Sequence, residues 1–128
     1  MRYTAKTIST ATSVAALLGT LAFSLPSISI AEDASVIAEG KKLAFNKKKG
    51  NCLACHVIEG GKLPGNIGPA LSIPGVAMKD RFPDKSKLRA QIYDARTMNP
   101  NTIMIPFGAH EVMTDSEIDK VVEFIYSL

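Results

Sequence analysis

The sequence predicts an all-α domain in which three or four helices and long loops wrap a compact centre. Three observations predict it. Near the C-terminus, Ile118, Val121, Val122 and Ile125 recur at i, i+3, i+4 and i+7, the spacing of one helix face. Residues 58–75 hold eight Gly and Pro residues, which leaves room only for loop. No alternating strand pattern surrounds the two cysteines, Cys52 and Cys55. A chain of 128 residues, 46% hydrophobic and 21% charged, is one ordinary globular domain at most.

Residues 1–31 read as a cleaved signal peptide. Arg2 and Lys6 form a basic start, residues 11–25 carry no charge, and Ser29-Ile30-Ala31 is a small-x-small cleavage site. A membrane anchor is the competing reading. The uncharged run over residues 7–31 is diluted by Ser, Thr, Gly and Pro, whereas a spanning helix wants about 20 predominantly apolar residues. The mature domain is then residues 32–128, exported to the periplasm and without a membrane segment after cleavage. Thirteen basic against twelve acidic residues leave that domain near neutral, which gives no case for a nucleic-acid partner. Twelve of the thirteen basic residues fall within 41–96 and five acidic residues within 111–123. Such a distribution is either a dipolar docking surface or two solvated faces.

The first helix is expected over residues 32–49, capped by Asp33 or Ser35. Val36, Ile37, Leu43, Ala44 and Phe45 give it an apolar side, and Lys47, Lys48 and Lys49 suit its C-terminal dipole. Gly40 inside it costs about 1 kcal/mol relative to Ala, acceptable where another helix crosses closely.

Next comes Cys52-Leu53-Ala54-Cys55-His56. C-x-x-C-H is the attachment signature of a c-type haem. Two thiols add across the porphyrin's two vinyl groups, two intervening residues set their separation, and the following histidine lies under the iron. A thioredoxin-like pair would need a βαβ setting, zinc would need a fourth ligand with only His110 to spare, and a structural disulfide would not require His56. A domain this small also gains from a covalently held apolar plate to pack around.

The loop over residues 58–75 follows His56 directly and is expected to wrap one haem edge. Within it, Gly68-Pro69-Ala70-Leu71 resembles the Gly-Pro-x-Leu segment of class I c-type cytochromes. The resemblance implies that the Pro69 carbonyl accepts the proton on the other ring nitrogen of His56, which orients the ring. An ordinary proline turn is the alternative.

Residues 86–96 read as a further helix, with Ser86 as cap and Leu88, Ile92 and Ala95 on one face, ended by Asn99-Pro100-Asn101. Thr114-Asp115-Ser116-Glu117 is a capping box opening the last helix. By family resemblance, the terminal helices cross near Gly40.

The second axial ligand has five candidates: Met78, Met98, Met104, Met113 and His110. Met104 opens an irregular Met-Ile-Pro-Phe-Gly segment about fifty residues after His56 and just before the last helix. Class I cytochromes present their methionine there, which favours Met104 and a raised potential. Met98 and Met113 read as packing, Met78 as a weaker candidate on a flexible loop, and His110 as a solvated histidine or a local hydrogen-bond donor. With both axial positions filled, substrate cannot reach the iron, so no catalytic residue is assigned and electron transfer is the expected role.

Longer segments are more specific. Met78-Lys79-Asp80-Arg81-Phe82-Pro83-Asp84-Lys85, Leu88-Arg89-Ala90-Gln91-Ile92-Tyr93-Asp94 and 99–108, from Asn-Pro-Asn-Thr to Phe-Gly, resemble the SoxX family, as do 51–56 and 64–69. These are the monohaem subunits of the SoxAX complex of bacterial thiosulfate oxidation. Ile105 and Tyr93 depart from the pattern, where proline and tryptophan are frequent. The resemblance implies a class I cytochrome c fold around one covalent haem. Cys52 and Cys55 would hold that haem, and His56 and Met104 would ligate its iron. It also implies a heterodimer with SoxA, in which this chain is the non-catalytic electron-transfer subunit. The complex would join thiosulfate to a cysteine of the SoxYZ carrier, and electrons would leave to a small c-type cytochrome. A free class I electron shuttle shares every haem residue and differs only in partner. A structural or redox-disulfide domain without haem is the remaining rival.

Overall fold

The computed structural model describes residues 28–128, with side chains from residue 33 onward. The proposed signal peptide, residues 1–31, therefore lies almost wholly outside the described residues. The elements of the described residues are helices joined by long loops: α1 (Ile28–Phe45), α2 (Met78–Arg81), α3 (Lys85–Tyr93) and α4 (Asp115–Tyr126), with 3₁₀ turns at Cys52–Ala54 and Ala95–Thr97. No β-strand occurs among the described residues; an isolated bridge pairs Ile73 with Val76. None of the described helices is long and apolar enough to cross a membrane.

Helix α4 forms where its pattern places it. The Thr114 hydroxyl accepts from the Glu117 N–H (3.2 Å) and the Glu117 carboxylate accepts from the Thr114 N–H (2.9 Å), so both arms of the capping box are made. Its stripe of Ile118, Val121, Val122 and Ile125 is 0–3% exposed and forms the centre of the core. Burying each such side chain contributes about 1.5–3 kcal/mol.

Helix α1 crosses α4 at Gly40. A Cβ there would run into the Lys120 carbonyl and lie 2.9 Å from the Phe124 Cβ, so only glycine permits this approach. Beside the crossing, Phe45 and Phe124 meet edge to face with centroids 5.8 Å apart.

Four boundaries differ from the sequence expectation, both ends of α1 and both ends of α3, which stops at Tyr93 and not at residue 96. Helix α1 stops at Phe45, not residue 49, because Asn46 diverts the chain: its side chain accepts from the Lys48 N–H (2.9 Å) and its carbonyl from the Lys49 and Asn51 N–H groups. The expected caps Asp33 and Ser35 stand inside α1. Helix α3 is capped by Asp84, which accepts from the Ser86 N–H and hydroxyl, and not by Ser86 itself. Asp94 then caps the separate 3₁₀ turn.

The uneven charge does not form a segregated acidic face. Asp115 and Asp119 both hold Arg89, Glu117 holds Lys49, and Glu123 holds Lys85. The acidic residues of α4 thus tie it to α3 and to the segment after α1.

Candidate functional site

The C-x-x-C-H segment is a tight turn. Asn51 adopts a left-handed conformation (φ 45°), and the Cys52 carbonyl accepts from both the Cys55 (3.2 Å) and His56 (2.9 Å) N–H groups. This winding turns Cys52, Cys55 and His56 all toward one cavity, whose wall they help form. Both thiols are free and half-buried. Burial pushes the Cys52 thiol up to about 11. A redox-active dithiol needs a lowered thiol pKa and a strand-to-helix turn. Here Cys52 shifts the opposite way, and the motif sits on a 3₁₀ turn.

The loop after His56 folds back onto the motif. The Gly65 N–H donates to Leu53 (2.7 Å), Gly68 to Cys55 (2.9 Å) and Leu71 to Val57 (2.8 Å). Gly68 faces the imidazole directly: a Cβ would lie 2.7 Å from Nδ1 and closer still to Cε1. His56 Nδ1 is 2.7 Å from the Pro69 carbonyl oxygen. With Nδ1 protonated and donating, Nε2 is left as the free nitrogen available to a metal. Arg81, at the end of α2, donates to the Ala70 (2.8 Å) and Leu71 (3.2 Å) carbonyls and pins the strand of loop that carries Pro69.

The opposite wall comes from the segment between the 3₁₀ turn and α4. Thr102 N–H donates to Asn99 (3.0 Å), and the Met104 N–H to the Thr102 hydroxyl (3.2 Å). Met104 lines the cavity and its Sδ lies 3.8 Å from Gln91 Nε2 of α3. The segment is fixed further on, where the Tyr93 carbonyl accepts from Gly108 (3.0 Å) and Ala109 (3.3 Å). The Tyr93 ring covers Gly108, whose missing Cβ makes the space. Tyr93 therefore braces the Met104 loop from outside and is not part of the cavity wall.

Between these walls lies a cavity of about 480 Å³. Cofactor clefts run to roughly 300–1,000 Å³ and are mostly apolar. Leu88, Ile92, Phe107, Val121 and Ile125 give this one an apolar floor that belongs to the core itself. Two thiols at one edge, an oriented imidazole and a thioether suit an iron porphyrin, and the residues fit the group.

The other candidate ligands fall differently. Met78 opens α2, is fully buried and borders the cavity, with its N–H bonded to the Leu128 carbonyl (2.7 Å). It is a core residue and not a residue of a flexible loop. Met113 is buried at the cavity floor, as packing requires. Met98 is 46% exposed, so it is not packing. His110 is exposed and does not border the cavity. Sequence reasoning did not single out Gln91 and Arg81 as site residues, although both lie in the segments that resemble the SoxX family; that was the signal that could have marked them.

Comparison with known proteins agrees with this geometry. The chain is 34% identical over 88 residues to an uncharacterized lipoprotein of Aquifex aeolicus (strain VF5). The match covers 68% of this chain, and the chain spans only about two fifths (40%) of that relative's length. The family model of cytochrome c matches residues 37–128, from the second half of α1 through α4. That span holds the thiols, the anchored imidazole, both cavity walls and the crossing of the terminal helices, and so the chain belongs to the cytochrome c family, with the all-α class I fold and covalent haem c.

Proposed function

We propose that this chain is the monohaem electron-transfer subunit of a periplasmic SoxAX complex, partnered with SoxA. One observation carries the reading. The segments that resemble the SoxX family are the ones that shape the two walls of the cavity. Arg81 clamps the carbonyls beside Pro69, and the Asn99–Thr102 turn carries Met104.

In this reading Cys52 and Cys55 hold the haem as thioethers, and His56 and Met104 ligate its iron. The haem supplies a one-electron couple when bound. The protein does the rest. The Pro69 carbonyl fixes the ring and proton of His56, and Gly68 leaves the ring its place. The core side chains of α3 and α4 keep water from the flat apolar faces. With His56 and Met104 as its ligands the iron would offer no position to substrate, so the chain would relay electrons and not bind thiosulfate. Electrons arrive as SoxA joins thiosulfate to a cysteine of the SoxYZ carrier, and leave to a small c-type cytochrome. Residues 1–31 direct export.

The test is size-exclusion chromatography of the native protein from its own cells, followed at the Soret band with mass spectrometry of the peak. Co-elution with a larger haem protein, together with thiosulfate-dependent reduction of this haem, is the expected result. Elution alone at its own mass, still red, overturns the complex and leaves a free electron shuttle.

A further inference from the structure

The loop between His56 and α2 carries one residue whose backbone and exposure both run against its chemistry. Leu63 is 97% exposed and has a left-handed conformation (φ 53°). A solvent-facing leucine alone is ordinary. A bulky residue at positive φ is not, and Pro64 follows it, which favours an extended backbone at the preceding position. At its other left-handed position, φ 76°, the same loop has glycine, Gly60. The conformation at Leu63 is held from both sides. The Gly61 N–H donates to the Ile58 carbonyl (3.0 Å) and the Gly65 N–H to the Leu53 carbonyl (2.7 Å). A Cβ at Gly61 would meet the Leu53 side chain, and one at Gly65 the Ala54 carbonyl. Lys62, Leu63 and Pro64 thus form an exposed tip seated on the C-x-x-C-H turn. Leu63 belongs neither to the core nor to the cavity wall. Strain that no packing within the chain offsets points to a role outside it.

We propose that Leu63 is a docking knob that seats in an apolar pocket, rimmed by carboxylates, on a protein partner. The pocket is assigned to the larger haem subunit, so the inference rests on this chain being part of the proposed complex. A tip whose backbone is already fixed gives up little freedom when it enters a pocket. The acidic rim follows from the neighbours of the knob. Lys62 stands in the tip itself. Lys41, exposed on α1 and held over the Phe45 ring, brings its Nζ against Gly60 of the same loop. Among the described residues no carboxylate pairs with either lysine, the loop's own Glu59 included. Charges placed in this way steer the encounter, while the apolar contact holds the complex.

The experiment compares the haem-loaded protein with its Leu63→Gly, Leu63→Met and Lys62→Gln variants. Two readouts are taken: the denaturant midpoint of each chain alone, and the dissociation constant and association rate of its complex with SoxA, the partner being identified by mass spectrometry. Leu63→Gly relieves the backbone and removes the knob. Its midpoint should rise while its dissociation constant rises by about tenfold or more. Leu63→Met keeps the apolar bulk and should bind within about threefold of the parent. Lys62→Gln should slow association and weaken its dependence on salt. A Leu63→Gly chain that binds as tightly as the parent overturns the proposal and leaves the complex standing. A Leu63→Gly midpoint that falls also overturns it, since Leu63 then serves the fold. An association rate indifferent to both Lys62→Gln and salt overturns the acidic rim. A parent chain that elutes without SoxA overturns the subunit reading, and the proposal with it.

Discussion

The imidazole of His56 lies against the α-carbon of Gly68 with no room for a side chain between them, while its Nδ1 meets the carbonyl of the next residue, Pro69, at 2.7 Å. Glycine supplies the space and proline the acceptor. Gly68→Ala is therefore expected to push the ring off its carbonyl. The yield of haem-loaded protein should fall several-fold. In the fraction that loads, the potential should rise, because a ring that loses its acceptor becomes a weaker donor. Soret absorbance per mole of protein and a potentiometric titration check both.

Met104 and Met78 both border the cavity, but only Met104 hangs on an irregular segment with its sulfur directed across the space. Met104→His should stay low-spin with a potential lower by on the order of 0.1 V, within the roughly 0.8 V span open to axial ligands. Met78→Leu conserves volume and should cost less than about 1.5 kcal/mol, with the spectrum unchanged. Loss of the far-red band in Met78→Leu and its survival in Met104→His would reverse the assignment.

Gly40 separates two effects of opposite sign. Alanine is the better helix former by about 1 kcal/mol, but its Cβ would meet the Lys120 carbonyl. Backbone does not yield as a side chain does. Gly40→Ala should lower stability by about 2 kcal/mol, in the range of overpacking. A denaturant midpoint that rises would show that α1 and α4 do not cross this closely.

The capping box adds an acid limb to the stability profile. The Thr114 N–H, and then Lys49, hold the Glu117 carboxyl below its ordinary value. A carboxyl lowered on folding stabilises the protein at pH above its unfolded value, near 4.5. That contribution is lost as pH falls through the folded value. Glu117→Gln should thus be less stable than the parent at neutral pH, and the gap should close as the pH falls through the lowered folded value. Thr114→Ala should cost about 1 kcal/mol at pH 7. Thermal melts across pH 3–7 measure both.

Much of this was legible in the sequence, and for local reasons. Helix α4 was read in full because its cap and its stripe are written within a dozen residues. The end of α1 was not, since Lys47, Lys48 and Lys49 suit a helix C-terminus, while the turn that ends it depends on the side chain of Asn46. Asp84 and Ser86 both make good caps, and only the backbone angles decide for Asp84. Met78 was misjudged because a one-turn helix carries too few residues to show a period. The ion pairs of α4 join residues 26 to 81 positions apart, and composition shows the charges without showing who meets whom.

The brace between Tyr93 and Gly108 bears on the speed of electron exchange. A redox centre pays an activation cost set by how far its surroundings must rearrange when the charge changes. One side of this cavity is held by Arg81 and the Pro69 carbonyl, the other by Thr102 and the double acceptance at Tyr93. Walls braced in this way should move little when the charge changes. The reorganisation energy should then be small, and the self-exchange rate should drop when Gly108 is given a side chain that lifts the loop from Tyr93.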